Sequence, residues 1–167
     1  DLNQVHQKLL DYTKLKAKID NFDYLIQKED NNFSSKLPIS NYIQIHLDEK
    51  WFNNSYIKNY KDINPSYESF TNFINQVSEN DNNIVITTGL NSNNLIERLI
   101  LDSASKINED IYIYNIKKNI FIVNKPSFLD LESILRKARI LITCHGAITH
   151  AAASYNIKII DIVEKSR

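Results

Sequence analysis

Ile140-Leu141-Ile142-Thr143-Cys144-His145-Gly146-Ala147-Ile148-Thr149-His150-Ala151-Ala152-Ala153 is the stretch that decides the fold. Its first five residues, Ile140–Cys144, form a short apolar run of strand type. A glycine follows almost at once, and the Ala-rich segment from Ala147 to about Tyr155 then reads as a short helix. Another apolar run, Lys158–Val163, closes the unit. A strand, a tight turn made of small residues, a helix and a second strand make a βα unit of a parallel sheet.

The same alternation extends upstream. Strands are expected at Tyr42–Leu47, Ile84–Thr88, Ile111–Asn115 and Asn119–Val123, with helices at Pro65–Val77, Asn94–Lys106 and Ser127–Ala138. Pro65 suits a first helical turn, and Tyr67, Phe70, Phe73, Ile74 and Val77 recur at helical spacing. Ser127 reads as an N-cap, with Asp130 three residues on. The expected fold is α/β: a Rossmann-like, open, mostly parallel sheet with helices on both faces. Before it, Leu2, Val5, Leu9, Tyr12, Leu15 and Ile19 predict a helix over residues 2–26. The polar stretch 27–40 reads as a linker, so residues 1–40 are a helix and linker and 41–167 the domain.

Composition narrows the function. The 167 residues carry 20 Lys+Arg and 20 Asp+Glu, a net charge of zero, which speaks against a dedicated nucleic-acid binder. No apolar run approaches the roughly 18 residues that span a bilayer. The single cysteine allows no internal disulfide and fits a reducing cytoplasm. The absence of methionine leads us to expect that the sequence is a piece of a longer protein.

Both glycines of the chain, Gly89 and Gly146, fall just after apolar strands. Ligands of doubly wound sheets bind beyond those strand ends, where backbone must approach closely. The first-turn N–H groups after Gly146 favour an anion, and Thr143, His145 and Thr149 bring donors nearby. This outlines a phosphate cradle without P-loop spacing or a G-x-G-x-x-G fingerprint. His145 and His150 beside Cys144 raise the question of zinc, but no second cluster with ligand spacing accompanies them, so no metal is expected. A strand-end cysteine is more often small and buried than nucleophilic. After the first strand, Asp48-Glu49-Lys50-Trp51 supplies a lysine for a phosphate and a tryptophan to seal the loop. Asn124-Lys125-Pro126-Ser127 enters a helix whose N-terminus could take an anion.

These parts, in this order, resemble the C-terminal, donor-binding half of GT-B glycosyltransferases, and most closely the heptosyltransferase-like glycosyltransferase family 9. The resemblance runs from about Asn41 to Val163. It matches the family's diphosphate-binding lysine to Lys50, and its Ser-Leu-x-Glu-Leu helix to Ser127-Phe128-Leu129-Asp130-Leu131. The family's Asp-Thr-Gly-Pro-x-His-x-Ala-Ala turn falls on residues 144–152. Cys144 replaces the Asp there, Ala147 replaces the Pro, and Thr149 stands in the histidine's place with His150 one position later. The resemblance implies a donor site built from Lys50, Thr88, Gly89, Thr143, His145, Gly146, Ala147, Thr149 and His150. It implies a nucleotide-sugar as substrate with no cofactor or metal, and a glycan or lipopolysaccharide-type acceptor. The location it implies is cytoplasmic, at the inner face of the membrane where the acceptor is a glycolipid. Asp48 and Glu49 are only remote candidates for a base, which that family draws from its other half. Two alternatives stand beside it. One is a non-catalytic nucleotide-sugar-binding or interaction module on the same fold. The other is a sugar-nucleotide epimerase or related hydrolase, which would need several carboxylates around the donor's sugar.

Overall fold

The computed structural model describes residues 32–52, 63–79, 82–91 and 93–162. The helix expected over residues 2–26 lies outside them. Among the described residues seven strands form one sheet: β1 (Tyr42–Leu47), β2 (Ile84–Thr88), β3 (Ala104–Lys106), β4 (Ile111–Tyr114), β5 (Ile120–Val123), β6 (Ala138–Cys144) and β7 (Lys158–Ile162). Their order is β3-β4-β5-β2-β1-β6-β7. The five strands from β5 to β7 run parallel, whereas β4 is antiparallel to β5 and β3 to β4. This is the expected Rossmann-like sheet with an antiparallel margin.

The helices are α1 (Tyr67–Val77), α2 (Asn94–Ser103), α3 (Phe128–Leu135) and α4 (Ala147–Ser154). Side chains alternate across each strand, so the two faces build separate cores. Ile43, Ile45, Leu47, Ile84, Ile86 and Ile122 meet Phe70, Ile74, Leu95, Ile96 and Leu99 of α1 and α2. On the other face Tyr42, Val85, Phe121 and Val123 pack with Ile134 of α3, and Leu141 packs with Leu135, Ile148 and Ala152. Helices thus cover both faces.

Two expectations need correction. The helix expected to reach Lys106 stops at Ser103, because Ala104 turns extended (φ −128°, ψ 150°) and pairs with Tyr114. The helix expected to run to Ala138 ends at Leu135, and Ala138 opens β6. Part of the stretch read as a linker is also packed. A 3₁₀ turn at Phe33–Lys36 buries Phe33, and Leu37 beside it is buried as well. The Ser34 N–H donates to Ser133 Oγ of α3 at 3.1 Å.

From β1 the chain passes to β2 on one side, and it later returns through β6 on the other. Loops leaving β1 and β6 therefore diverge to opposite faces, and the crevice between them lies at the topological switch point.

Candidate functional site

The site starts with the turn after β1. Asp48 Oδ1 accepts the Lys50 N–H at 3.1 Å, which caps the 3₁₀ turn Glu49–Trp51. That turn drives Trp51 into the core, as a sealing residue requires, and folds Lys50 back on Asp48. The Lys50 Nζ–Asp48 Oδ2 distance is 2.9 Å, with both side chains mostly buried. Burial lowers the Lys50 pKa, but the hydrogen bond and charge of Asp48, and then Glu49, outweigh it and hold it above the ordinary value. The ammonium stays charged.

Gly146 lies directly against it. A Cβ built on Gly146 would stand 2.3 Å from Lys50 Nζ. The backbone there is extended (φ −177°), a conformation open to any residue, so the glycine provides room rather than unusual geometry. Gly89 is less constrained: its added Cβ would make ordinary contacts, the nearest 3.5 Å from Glu49 Oε2. Gly146 is also the N-cap of α4 and has no side chain to cap with. The Thr149 hydroxyl donates to Gly146 O at 2.6 Å and accepts the Gly146 N–H at 3.4 Å. The first-turn N–H groups of Ala147 and Ile148 are left facing the strand ends, and the positive end of the helix dipole adds to them. The adjacent pocket, about 320 Å³, is lined by His46, Lys50, Phe128, Leu131, Ala147 and Ile148, among others. A neighbouring pocket of about 270 Å³ extends it past Thr88, Gly89 and Pro126.

The expected site residues separate into three groups. Lys50, Gly146 and Ala147 converge on the crevice, and Thr88 and Gly89 line its extension. Thr88 acts through its loop: its buried hydroxyl accepts the Lys125 N–H at 2.7 Å, where Lys125 adopts φ 55°. Thr143 and Thr149 are buried with their hydroxyls on backbone carbonyls, Thr143 on His46 O at 3.2 Å. His145 and His150 are exposed and line neither pocket. Their rings meet edge to face at 5.5 Å, and His145 Nδ1 lies 2.9 Å from Asp161 Oδ2 on β7.

The helix entry at Asn124–Ser127 does not offer the expected anion site. Ser127 and Asp130 form a reciprocal capping box, and the Asp130 carboxylate already accepts the Ser127 hydroxyl at 2.6 Å. A second negative charge there would meet repulsion. Cys144 is fully buried; burial foremost, then Asp48, pushes its thiol up to about 12, so it is no nucleophile. Among the described residues no group of three or more His, Cys, Asp or Glu side chains is placed to hold a metal ion.

Sequence reasoning missed the role of His46. Its side chain shares the α3–α4 face with Gln44 and Thr87. Gln44 Nε2 donates to Thr87 Oγ1 at 3.1 Å, and His46 Nδ1 lies 3.0 Å from the same oxygen. The Thr87 hydroxyl thus ties Gln44 and His46 together beneath the crevice. Burial, and secondarily the charge of Lys50, lowers the His46 pKa to about 4 against a weaker opposing pull from Glu49. His46 is thus a neutral imidazole on the pocket floor. The alternation Ile43-Gln44-Ile45-His46 was the available signal, since it puts two polar groups on an otherwise apolar face.

No family model matches the sequence, and no curated protein matches it. Among solved structures, the chain is similar to UDP-GlcNAc 2-epimerase of Methanocaldococcus jannaschii, crystallised in complex with UDP-GlcNAc and UDP. Sequence identity is 17% and the TM-score 0.49. The match covers 80% of this chain and 33% of the other, so this chain spans about a third of that protein's length.

Proposed function

We propose that this chain is the donor-binding half of a nucleotide-sugar-dependent glycosyltransferase, holding the donor's diphosphate between Lys50 and the first turn of α4. The observation that carries the reading is the packing of the Lys50 ammonium onto Gly146, which sets a fixed cation beside uncapped peptide N–H groups. An ammonium has three donors. Asp48 takes one, which leaves two for phosphate oxygens. Phe128 is 56% exposed at the mouth of both pockets and offers a flat apolar ring to a nucleobase.

In the transfer, an acceptor hydroxyl gives its proton to a base and attacks the anomeric carbon. The sugar–phosphate bond breaks, and its electron pair leaves on the diphosphate. Lys50 and the Ala147 and Ile148 N–H groups are placed to stabilise that departing charge. The base comes from outside this site. The finer reading, a heptosyltransferase-like enzyme acting on a glycan or lipopolysaccharide-type acceptor at the cytoplasmic face of a membrane, rests on the motif resemblance at Lys50, Ser127–Leu131 and 144–152. None of the helices among the described residues is long and apolar enough to cross a membrane. One observation favours a second reading, a binding module without turnover: Asp48 already neutralises Lys50. Slow donor hydrolysis by the full-length protein would remove that alternative.

Isothermal titration with ADP, UDP, GDP and CMP tests the proposal. One nucleotide is expected to bind with a Kd on the order of 10 μM to 1 mM. Lys50→Ala should weaken it about 10- to 100-fold, because a hydrogen bond to a charged group contributes about 1.5–3 kcal/mol. A folded chain that binds none of the four, or binds equally well without Lys50, overturns the reading.

A further inference from the structure

The Asp48–Glu49 turn borders a third pocket, on the opposite face of the sheet from the cradle. At about 650 Å³ it is larger than either pocket described above, and it lies between the starts of α1 and α2. Its chemistry differs from the cradle's. Asp48 and Glu49 line it as they line the cradle's pockets, but Asn64, Asn91 and Asn93 add amides, and Phe52 and Tyr67 supply aromatic surface. Arg98 brings a positive charge, but it stacks 4.2 Å from the Tyr67 ring centroid and pairs with Asp102 at 3.2 Å. The Glu49 carboxylate has no ion-pair partner at contact distance among the described residues. What sets this pocket apart from the cradle is its cation: Arg98 is already engaged by Asp102 and the Tyr67 ring, so no ammonium like that of Lys50 faces a phosphate here.

Asn93 adds an independent sign of a ligand. Its Oδ1 accepts the Ile96 N–H at 2.8 Å and caps α2, whereas its Nδ2 is buried and has no hydrogen-bond partner among the described residues. A buried amide donor without a partner is costly, and native proteins retain such groups where something else satisfies them. Hydroxyl-rich rings fit this lining. Carboxylates and amides hydrogen-bond vicinal hydroxyls, and aromatic rings cover the apolar C–H face of a sugar.

We propose that this pocket binds an uncharged sugar ring, with Asn93 Nδ2 and the Glu49 carboxylate meeting its hydroxyls and Tyr67 flanking it. The inference rests on the nucleotide-sugar reading only for the identity of that ring, which would be an acceptor or transferred sugar. The sugar pocket and the phosphate cradle share the Asp48–Glu49 turn as a common wall, which places a sugar next to a departing diphosphate.

The test follows the Asn93 side-chain amide by NMR in the full chain while glucose, galactose, N-acetylglucosamine and their methyl glycosides are added singly, each up to about 50 mM. At least one sugar should shift the Asn93 Nδ2 protons saturably, with a Kd on the order of millimolar. Asn93→Asp keeps the capping oxygen and removes the donor. It should weaken that sugar at least 5-fold, leave the melting temperature equal or higher, and leave nucleotide binding unchanged. No saturable shift with any sugar overturns the proposal, as does an Asn93 shift caused by a nucleotide alone. If nucleotides fail to bind but a sugar moves Asn93, the pocket stands and only the nucleotide reading falls.

Discussion

His46 is a group whose environment makes a measurable demand. Its folded-state pKa, lowered to about 4, lies well below the usual value of 6.5. Below pH 6.5 the unfolded chain takes up a proton that the folded chain refuses. The stability held by neutral His46 is therefore complete above pH 6.5 and is lost as pH falls from 6.5 towards 4. The slope over that window is roughly 1.4 kcal/mol per pH unit. Urea denaturation at a series of pH values should show it, and His46→Gln should flatten it. A wild-type slope that persists in the variant would mean that another group is responsible. The residue scale is also where the sequence was hardest to read. Lys50 and Gly146 stand 96 positions apart, and no spacing rule announces that one ammonium fills the room left by the other's missing side chain. Thr143 and Thr149 looked like ligand donors because sequence shows a hydroxyl but not the carbonyl that takes it.

At the level of elements, ends matter more than middles. The capping box of α3 is complete, with Ser127 and Asp130 exchanging hydrogen bonds. Ser127→Ala should cost about 1 kcal/mol in thermal unfolding. A loss near zero would show that Asp130 alone holds the helix start. The box was visible in advance as a serine three residues before an acid. The end of α1 falls at Val77 as expected, but the cation at that end was not legible: the helix has no basic residue of its own in its last turn, and Lys117 from the turn before β5 reaches back to Asn75 O at 3.0 Å. Strand β3 was missed for a related reason. Ala104-Ser105-Lys106 shows neither an apolar run nor alternation, and it becomes a strand only through its pairing with Tyr112–Tyr114.

For the whole molecule, the parallel centre of the sheet was legible because buried parallel strands write continuous apolar runs, as in Ile84-Val85-Ile86 and Ile120-Phe121-Ile122-Val123. The strand order left no such trace, and with it went the fact that the two halves of the cradle sit at the ends of adjacent strands β1 and β6. The boundary of the packed unit also reaches further back than composition suggests. Phe33 is 5% exposed and packs with Leu37, Phe121 and Ile134 beneath α3. Phe33→Ala should lower unfolding stability by about 3 kcal/mol, read as a reduced urea midpoint at unchanged slope. An unchanged midpoint would show that the turn at Phe33–Lys36 contributes nothing to the fold's stability.

The contact between Lys50 and Gly146 has a consequence for how such a chain can change over generations. The two positions are epistatic. A methyl group at 146 is harmless to a backbone that is already extended, but it makes the ammonium at the tip of the flexible Lys50 side chain shift. Once residue 50 is no longer a lysine, a side chain at 146 has no ammonium to displace. Substitution at 146 first passes through a chain that keeps its cation in the wrong place. Substitution at 50 first passes through one that has none, and any return must restore the glycine before the lysine can work again.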